Sequence, residues 1–338
     1  MPEPSPRSSE DTDYRVATTP GQLPDRDDFL EPGVLPVEIG QIADAQVAEH
    51  EQLVALDPDQ VSEADVVKKR LGIGFWIATG FVTLLVLAAI LAPYIPGLRD
   101  PDKPVGRPRQ APSTTFWFGT DGLGRDLFSR VIYGARVTLL ISLMAILFGF
   151  LLGCTVGLIA GYFKGFTQTF LMYWMDVILA FPALLLSLAI VTFMGRSVVN
   201  IILAIGIVSI PAIARLIRAG TLVSSEREFV LAARATGAKN SRIIVREVLP
   251  NAVIPILSFT PLAIAAAIAA EGALGFLGVS VPPPTATWGG IINEARAAFP
   301  DYAYMVLIPS FVLFLTVFCF NFIGDRIREY YNIKEGGL

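Results

Sequence analysis

The sequence predicts an all-α membrane protein: six transmembrane helices, with a cytoplasmic helical loop between the fourth and the fifth. Three observations carry this. The 338 residues are 53% hydrophobic, with a mean hydropathy of +0.58. The apolar residues are gathered into long uncharged blocks, and a block of roughly 18 or more reads as a span. The charges fall between the blocks and differ in sign from one end of the chain to the other.

The blocks, in order, are Leu71–Ala92, Val137–Phe163, Val177–Gly195, Ser197–Ala214, Val248–Ala270 and Tyr302–Gly324. The third follows Asp176 and extends back to about Phe170. Pro211 in the fourth block, and Pro255 and Pro261 in the fifth, are expected to kink those helices and free carbonyls towards a cavity. The chain therefore divides into a tail over 1–66, a membrane body over 67–330 with the loop at 224–250, and a short cytoplasmic tail over 331–338.

Charge sets the expected orientation. Lys68-Lys69-Arg70 precedes the first span, so the N-terminus belongs in the cytoplasm. Six spans then return the C-terminus to the same side. Lys164, the basic loop (Arg227, Arg234, Lys239, Arg242, Arg246, with Arg215 and Arg218 before it) and Arg326, Arg328 and Lys334 agree. The connection Pro93–Arg136 does not. It carries seven Lys/Arg on the expected outer side, interleaved with four aspartates, and part of it is expected to pack as a helix on the membrane face.

Residues 1–67 hold 16 acidic and 3 basic residues, a balance of −13, while the rest of the chain is +9. The tail is too polar to offset chain entropy by burial and reads as disordered, apart from a possible short helix at Pro36–Leu56. With no positive start and no apolar core near Met1, it is not a signal peptide.

Residues 225–250, SEREFVLAARATGAKNSRIIVREVLP, form the loop. Ser225 and Glu228 have the spacing of a capping box. Phe229, Ala232, Ala233 and Thr236 recur at i, i+3, i+4 and i+7, a narrow face of small residues apart from Phe229. Gly237 is placed to end the helix in left-handed conformation. Asn240 or Ser241 then caps a second helix carrying Ile243, Ile244 and Val248, and Pro250 opens the next span. On periodicity alone this is either a connector between spans or a docking element for a cytosolic partner.

The same stretch resembles the cytoplasmic EAA loop of ABC-importer permeases, EAA-x3-G-x9-I-x-LP. Ala232, Ala233, Gly237, Leu249 and Pro250 match; Leu231 stands where the family has Glu, and Glu247 where it has Ile. Two further stretches resemble the C-type permeases of dipeptide, oligopeptide and nickel importers. They are FGTDGLGRDLFSRVIYGARVTL (Phe118–Leu139) and EGALGFLGVSVPPPTATWG (Glu271–Gly289). DVILAFPALLL (Asp176–Leu186) fits the third span of that subgroup, and the resemblance covers roughly residues 70–330.

The resemblance implies an inner (cytoplasmic) membrane permease subunit, multi-pass and non-catalytic. It would form half of a translocation pathway for di- or oligopeptides. The implied partners are a second homologous permease, cytosolic ATPase subunits that hold ATP and Mg, an extracytoplasmic substrate-binding protein and the lipid membrane, with no nucleic acid. Glu228, Phe229, Ala232, Ala233 and Gly237 would make the ATPase-coupling element. The chain has no G-x-x-x-x-G-K-[ST] loop, so it cannot bind ATP in that way.

Other residues leave alternatives open. Gly149, Gly153, Gly157 and Gly161 recur every fourth residue and form a groove for another helix, in the same chain or in a second permease. Glu271 is expected either to pair with a group such as an outer-segment arginine or, with Pro211, to line the substrate path. Asp176 suits a helix-end role. Asp121, Arg125 and Asp126 are expected to pair among themselves. Cys154 and Cys319 read as small core residues, and the single histidine, His50, leaves no material for a triad or a histidine metal site. An ion- or proton-coupled secondary transporter is the alternative. It would need carboxylates in mid-membrane, and no internal repeat is visible in its favour. A membrane enzyme lacks a His, Cys or acidic cluster.

Overall fold

The computed structural model describes residues 72–335. The acidic tail, the Pro36–Leu56 helix and Lys68-Lys69-Arg70 lie outside the described residues. The described residues belong to one compact unit.

The regular elements of the described chain are all helices. Helix α1 spans Ile73–Leu91, with a 3-10 turn at Ala92–Tyr94. An irregular segment leads to α2, Leu127–Tyr162. Then come α3 (Phe166–Leu179), α4 (Ala183–Met194) and α5 (Val198–Ser225). The loop contains α6 (Glu228–Ala235), the single turn α7 (Asn240–Ile243) and a π-helical turn at Ile244–Val248. Next follow α8 (Leu249–Leu257), α9 (Thr260–Phe276), α10 (Trp288–Ala295) and α11 (Tyr304–Glu335).

Among the described residues four helices are long and apolar enough to cross a membrane: α1 with its 3-10 turn, α2, α5 and α11. A fifth follows if α3 and α4, bent by 86°, count as one span. The break falls at Ala180–Pro182, because Pro182 disfavours helical geometry at Phe181. The expected fifth span is also broken. Pro261 lies in the first turn of α9, and its ring would meet the carbonyl of Leu257, where α8 ends. By contrast α5 runs unbroken through Pro211, which is buried.

Helix α2 starts ten residues before the apolar block. No helix precedes it in the irregular segment except the 3-10 turn, so the helix expected there is the first turns of α2. Asp126 fixes the start, accepting from Ser129 N at 3.0 Å and Ser129 Oγ at 2.7 Å. At 36 residues α2 is about 54 Å long, well beyond a hydrocarbon core of about 30 Å.

Helix α2 packs along α5 through the glycine series. A Cβ on Gly153 would stand 2.9 Å from Ile213, one on Gly157 2.6 Å from the Ala214 carbonyl, and one on Gly161 2.6 Å from Thr221 Cβ. Gly149 faces Ser209 and the Gly206 carbonyl. Of the two readings of this series, packing within the chain is the one observed. A second cluster packs α1, α2, α9, α10 and α11 around fully buried Trp288, whose Nε1 donates to the Val131 carbonyl at 3.0 Å. Cys154 and Cys319 are buried and free.

Candidate functional site

The loop between α5 and α8 is seated on the Tyr162 end of α2. Val230, Ile243 and Val248 are fully buried in a cluster with Leu158, Ile217 and Ile256, and Ala233 packs against it. Tyr162 Oη donates to Asn240 Oδ1 at 3.0 Å, and the Arg234 guanidinium lies 5.1 Å over the Tyr162 ring. Lys164 Nζ meets Glu226 Oε1 at 2.7 Å. That hydrogen bond, helped by the charge of Lys164, holds the Glu226 carboxyl below its usual range.

Two local expectations are corrected. Ser225 is the last residue of α5, its hydroxyl donating to the Leu222 carbonyl, so no capping box forms with Glu228. The N-cap of α6 is Arg227, without a side-chain cap. Asn240 is already helical behind Lys239 and spends its side chain on Tyr162. The buried seam of α6 runs through Val230 and Ala233, so of the small-residue face read from the sequence only Ala233 is turned to the body. Glu228, Ala232 and Thr236 are exposed, as are Phe229 at 36% and Leu231 at 52%. Ala233 is thus turned to the body, Ala232 away from it.

Gly237 ends α6 as expected. Its φ is +79°, its N–H donates to Arg234 O at 2.9 Å, and Ala238 N donates to Ala233 O at 3.0 Å. Those two bonds make a full Schellman cap. A Cβ at 237 would meet nothing within 4 Å, so only the backbone conformation demands glycine.

At the Leu127 end of α2 lies a buried charge cluster. Arg125 Nε is 2.5 Å from Asp121 Oδ2, and Arg125 Nη2 is 2.6 Å from Glu294 Oε2. Arg130, fully buried, reaches Glu294 Oε2 at 3.2 Å and the Pro101 carbonyl at 3.2 Å. Asp121 pairs with Arg125 as expected, whereas Asp126 serves as the α2 cap. Glu294 was not singled out from the sequence. The available signal was a shortfall of close acid: with Asp126 used as a cap, Asp121 serves both arginines and Asp102 reaches Arg130 only at 4.0 Å.

Glu271 is fully buried and has hydroxyl partners, not an arginine. Thr138 Oγ1 donates to Oε2 at 2.9 Å and Ser280 Oγ to Oε1 at 2.7 Å, with Thr287 as a third hydrogen-bonding neighbour. These bonds tie the Pro-rich turn to α2 and α9. Alongside, Gly275 and Gly289 bring α9 and α10 into backbone contact, a Cβ on Gly275 falling 2.7 Å from Gly289 Cα. Asp176 pairs with Arg215 Nη2 at 2.5 Å, joining α3 to α5, with both side chains about half exposed.

The family model described as binding-protein-dependent transport system inner membrane component matches residues 153–333. The glutathione transport system permease protein GsiD of Salmonella typhimurium is 42% identical over 262 residues, covering 77% of this chain and 86% of that protein. The dipeptide transport system permease protein DppC of Alkalihalophilus pseudofirmus is 38% identical over 280 residues, covering 82% and 91%. A solved structure of the MetNI methionine ABC transporter in inward facing conformations aligns with a TM-score of 0.49 at 18% identity, over 60% of this chain and 96% of that one. On the family match and these identities, the chain belongs to the inner membrane components of binding-protein-dependent transport systems.

Proposed function

We propose that this permease is one of two paired subunits that form the pathway of an ATP-driven importer of short peptides, with a cytosolic ATPase seated on α6. The observation that carries the reading is the mounting of α6. It is held from behind by Val230, Ala233 and the Arg234–Tyr162 contact, the Tyr162–Asn240 bond fixing the turn that follows, and its outward face offers Glu228, Phe229, Leu231 and Ala232 with no partner in this chain's core. A surface helix that is rigidly backed and apolar in front suits a protein that must be pushed and must pass the push on.

The names of the relatives, glutathione and dipeptide permeases, favour short peptides as cargo. In this reading α8 and α9 together make a sixth span, and both chain ends face the cytoplasm with α6. The charge cluster then lies on the outer side, where a substrate-binding protein delivers cargo. ATP and Mg belong to the ATPase subunits. Glu271 acts by positioning the Pro-rich turn, and Pro211 sits in a span beside the loop.

The test is Gly237→Val, reconstituted with the partner permease, ATPases and binding protein in vesicles. A β-branched residue at this φ costs roughly 1–2 kcal/mol. Insertion and permease pairing are expected to persist while ATPase association falls or hydrolysis runs without uptake. Gly237→Asn, which tolerates the conformation, is expected to keep most uptake. Wild-type uptake by the valine variant would make the loop a mere connector.

A further inference from the structure

An open apolar groove of about 670 Å³ runs between α1, α2 and α11, walled by Phe81, Leu85, Val131, Ile308, Phe311 and Val312. Its size is that of a small-molecule site. Towards the start of α2 it shares Phe128 and Ile132 with a cleft of about 380 Å³, which also takes in Ala88, Trp117 and Arg99. Apolar wall and cationic mouth thus adjoin one another.

Arg99 is the cation at this mouth. Its guanidinium lies 4.3 Å over the Phe116 ring, and no carboxylate among the described residues pairs with it. Its Nη1 is buried without a hydrogen-bond partner. Asp126, the acid lining the same cleft, is already committed to Ser129 N and Oγ. Tyr94, at the end of α1, and Trp117 are both strongly exposed, as aromatic side chains are where a membrane meets water. A lone guanidinium at that level, above an apolar trough, is complementary to an anionic phosphate carrying an acyl chain.

We propose that the groove and Arg99 form a binding site for one phospholipid, with its phosphate at the guanidinium and an acyl chain laid along α1, α2 and α11. This requires only that the chain sit in a bilayer, and is independent of cargo and of the ATPase.

The experiment uses the permease purified with its partner subunits in mild detergent. Native mass spectrometry follows phosphatidylglycerol binding, with inorganic phosphate as the headgroup-only competitor. Wild type is expected to retain one lipid at this site. Arg99→Gln is expected to weaken phosphatidylglycerol about fivefold, and Ile132→Trp, which narrows the groove, to weaken it with subunit composition unchanged. A measurement on wild type alone guards against misfolded variants: phosphatidylglycerol with a diazirine in its tail should label the peptides around Phe81–Leu85 and Ile308–Val312, and unlabelled lipid should compete. Labelling that does not saturate, equal affinity in Arg99→Gln, full competition by inorganic phosphate, or a Phe311→Cys probe that cross-links to another subunit would each overturn the proposal.

Discussion

Arg130 Nη2 and Glu294 Oε2 stand 3.2 Å apart across 164 residues of chain. The same carboxylate oxygen takes Arg125 Nη2 at 2.6 Å, so one acid on a short helix neutralises part of two arginines at the start of α2. Glu294→Gln leaves Asp121 as the remaining close acid for both. Removing one member of a buried pair costs about 3–5 kcal/mol. Glu294 is 32% exposed, which lowers the expected loss to about 2 kcal/mol. Thermal unfolding of the purified complex measures it; Glu294→Asp is expected to fall between, and an unchanged midpoint would show that Asp121 suffices.

Ala232 and Ala233 are neighbours with opposite surroundings. Ala233→Trp is expected to push α6 off its cluster and raise protease cleavage within 226–246, with or without other subunits. Ala232→Trp faces outward, so cleavage of the isolated permease should be unchanged while ATPase association drops. Equal effects in both assays would remove the distinction between the two faces.

Gly157 meets the backbone of α5. An added Cβ would lie 2.6 Å from the Ala214 carbonyl and 2.7 Å from Ile217 Cβ. Gly157→Ala must separate the two helices locally, at a cost of about 1–3 kcal/mol. Gly80, with open space around it, supplies the control: Gly80→Ala should be neutral or slightly stabilising. Thermal stability of the two variants decides.

The Lys164–Glu226 contact gives a pH signature. The carboxyl is held below its ordinary 4.5 by the hydrogen bond from Lys164 and then by its charge. Its contribution is therefore present in full above 4.5 and is lost as pH falls through the lower folded value. Lys164→Gln should return the Glu226 titration upward, read from a carbon-13 carboxyl label. An unmoved titration would mean the contact does not persist in solution.

The long elements were legible because α1, α5 and α11 each contain an uncharged run of about the length a bilayer needs. The first ten residues of α2 were not, since Arg130 and Arg136 interrupt the apolar pattern and the partner that buries Arg130 is Glu294, far along the chain. The break before α4 had its signal in Pro182. At Ser225 a local pattern misled: the spacing to Glu228 suits a cap, but α5 continues through the serine. On α6 the spacing alone could not choose between adjacent faces, one starting at Phe229 and one at Val230, because both continue through small residues. The hydroxyl partners of Glu271 lie on two other segments and became visible only in three dimensions.

The glycine series has a mechanical meaning. With backbone against backbone at Gly153, Gly157 and Gly161, α2 and α5 have no compliant layer of long side chains between them. They should bend as one beam, stiffer than either alone. The α6 mount sits at one end of that beam and the Arg125–Arg130–Glu294 cluster at the other. The two interrupted helices beside it, broken at Ala180–Pro182 and at Ser258–Phe259, are the joints. Bending applied at the loop would then concentrate at those two breaks and reach the far end of α2 almost undamped.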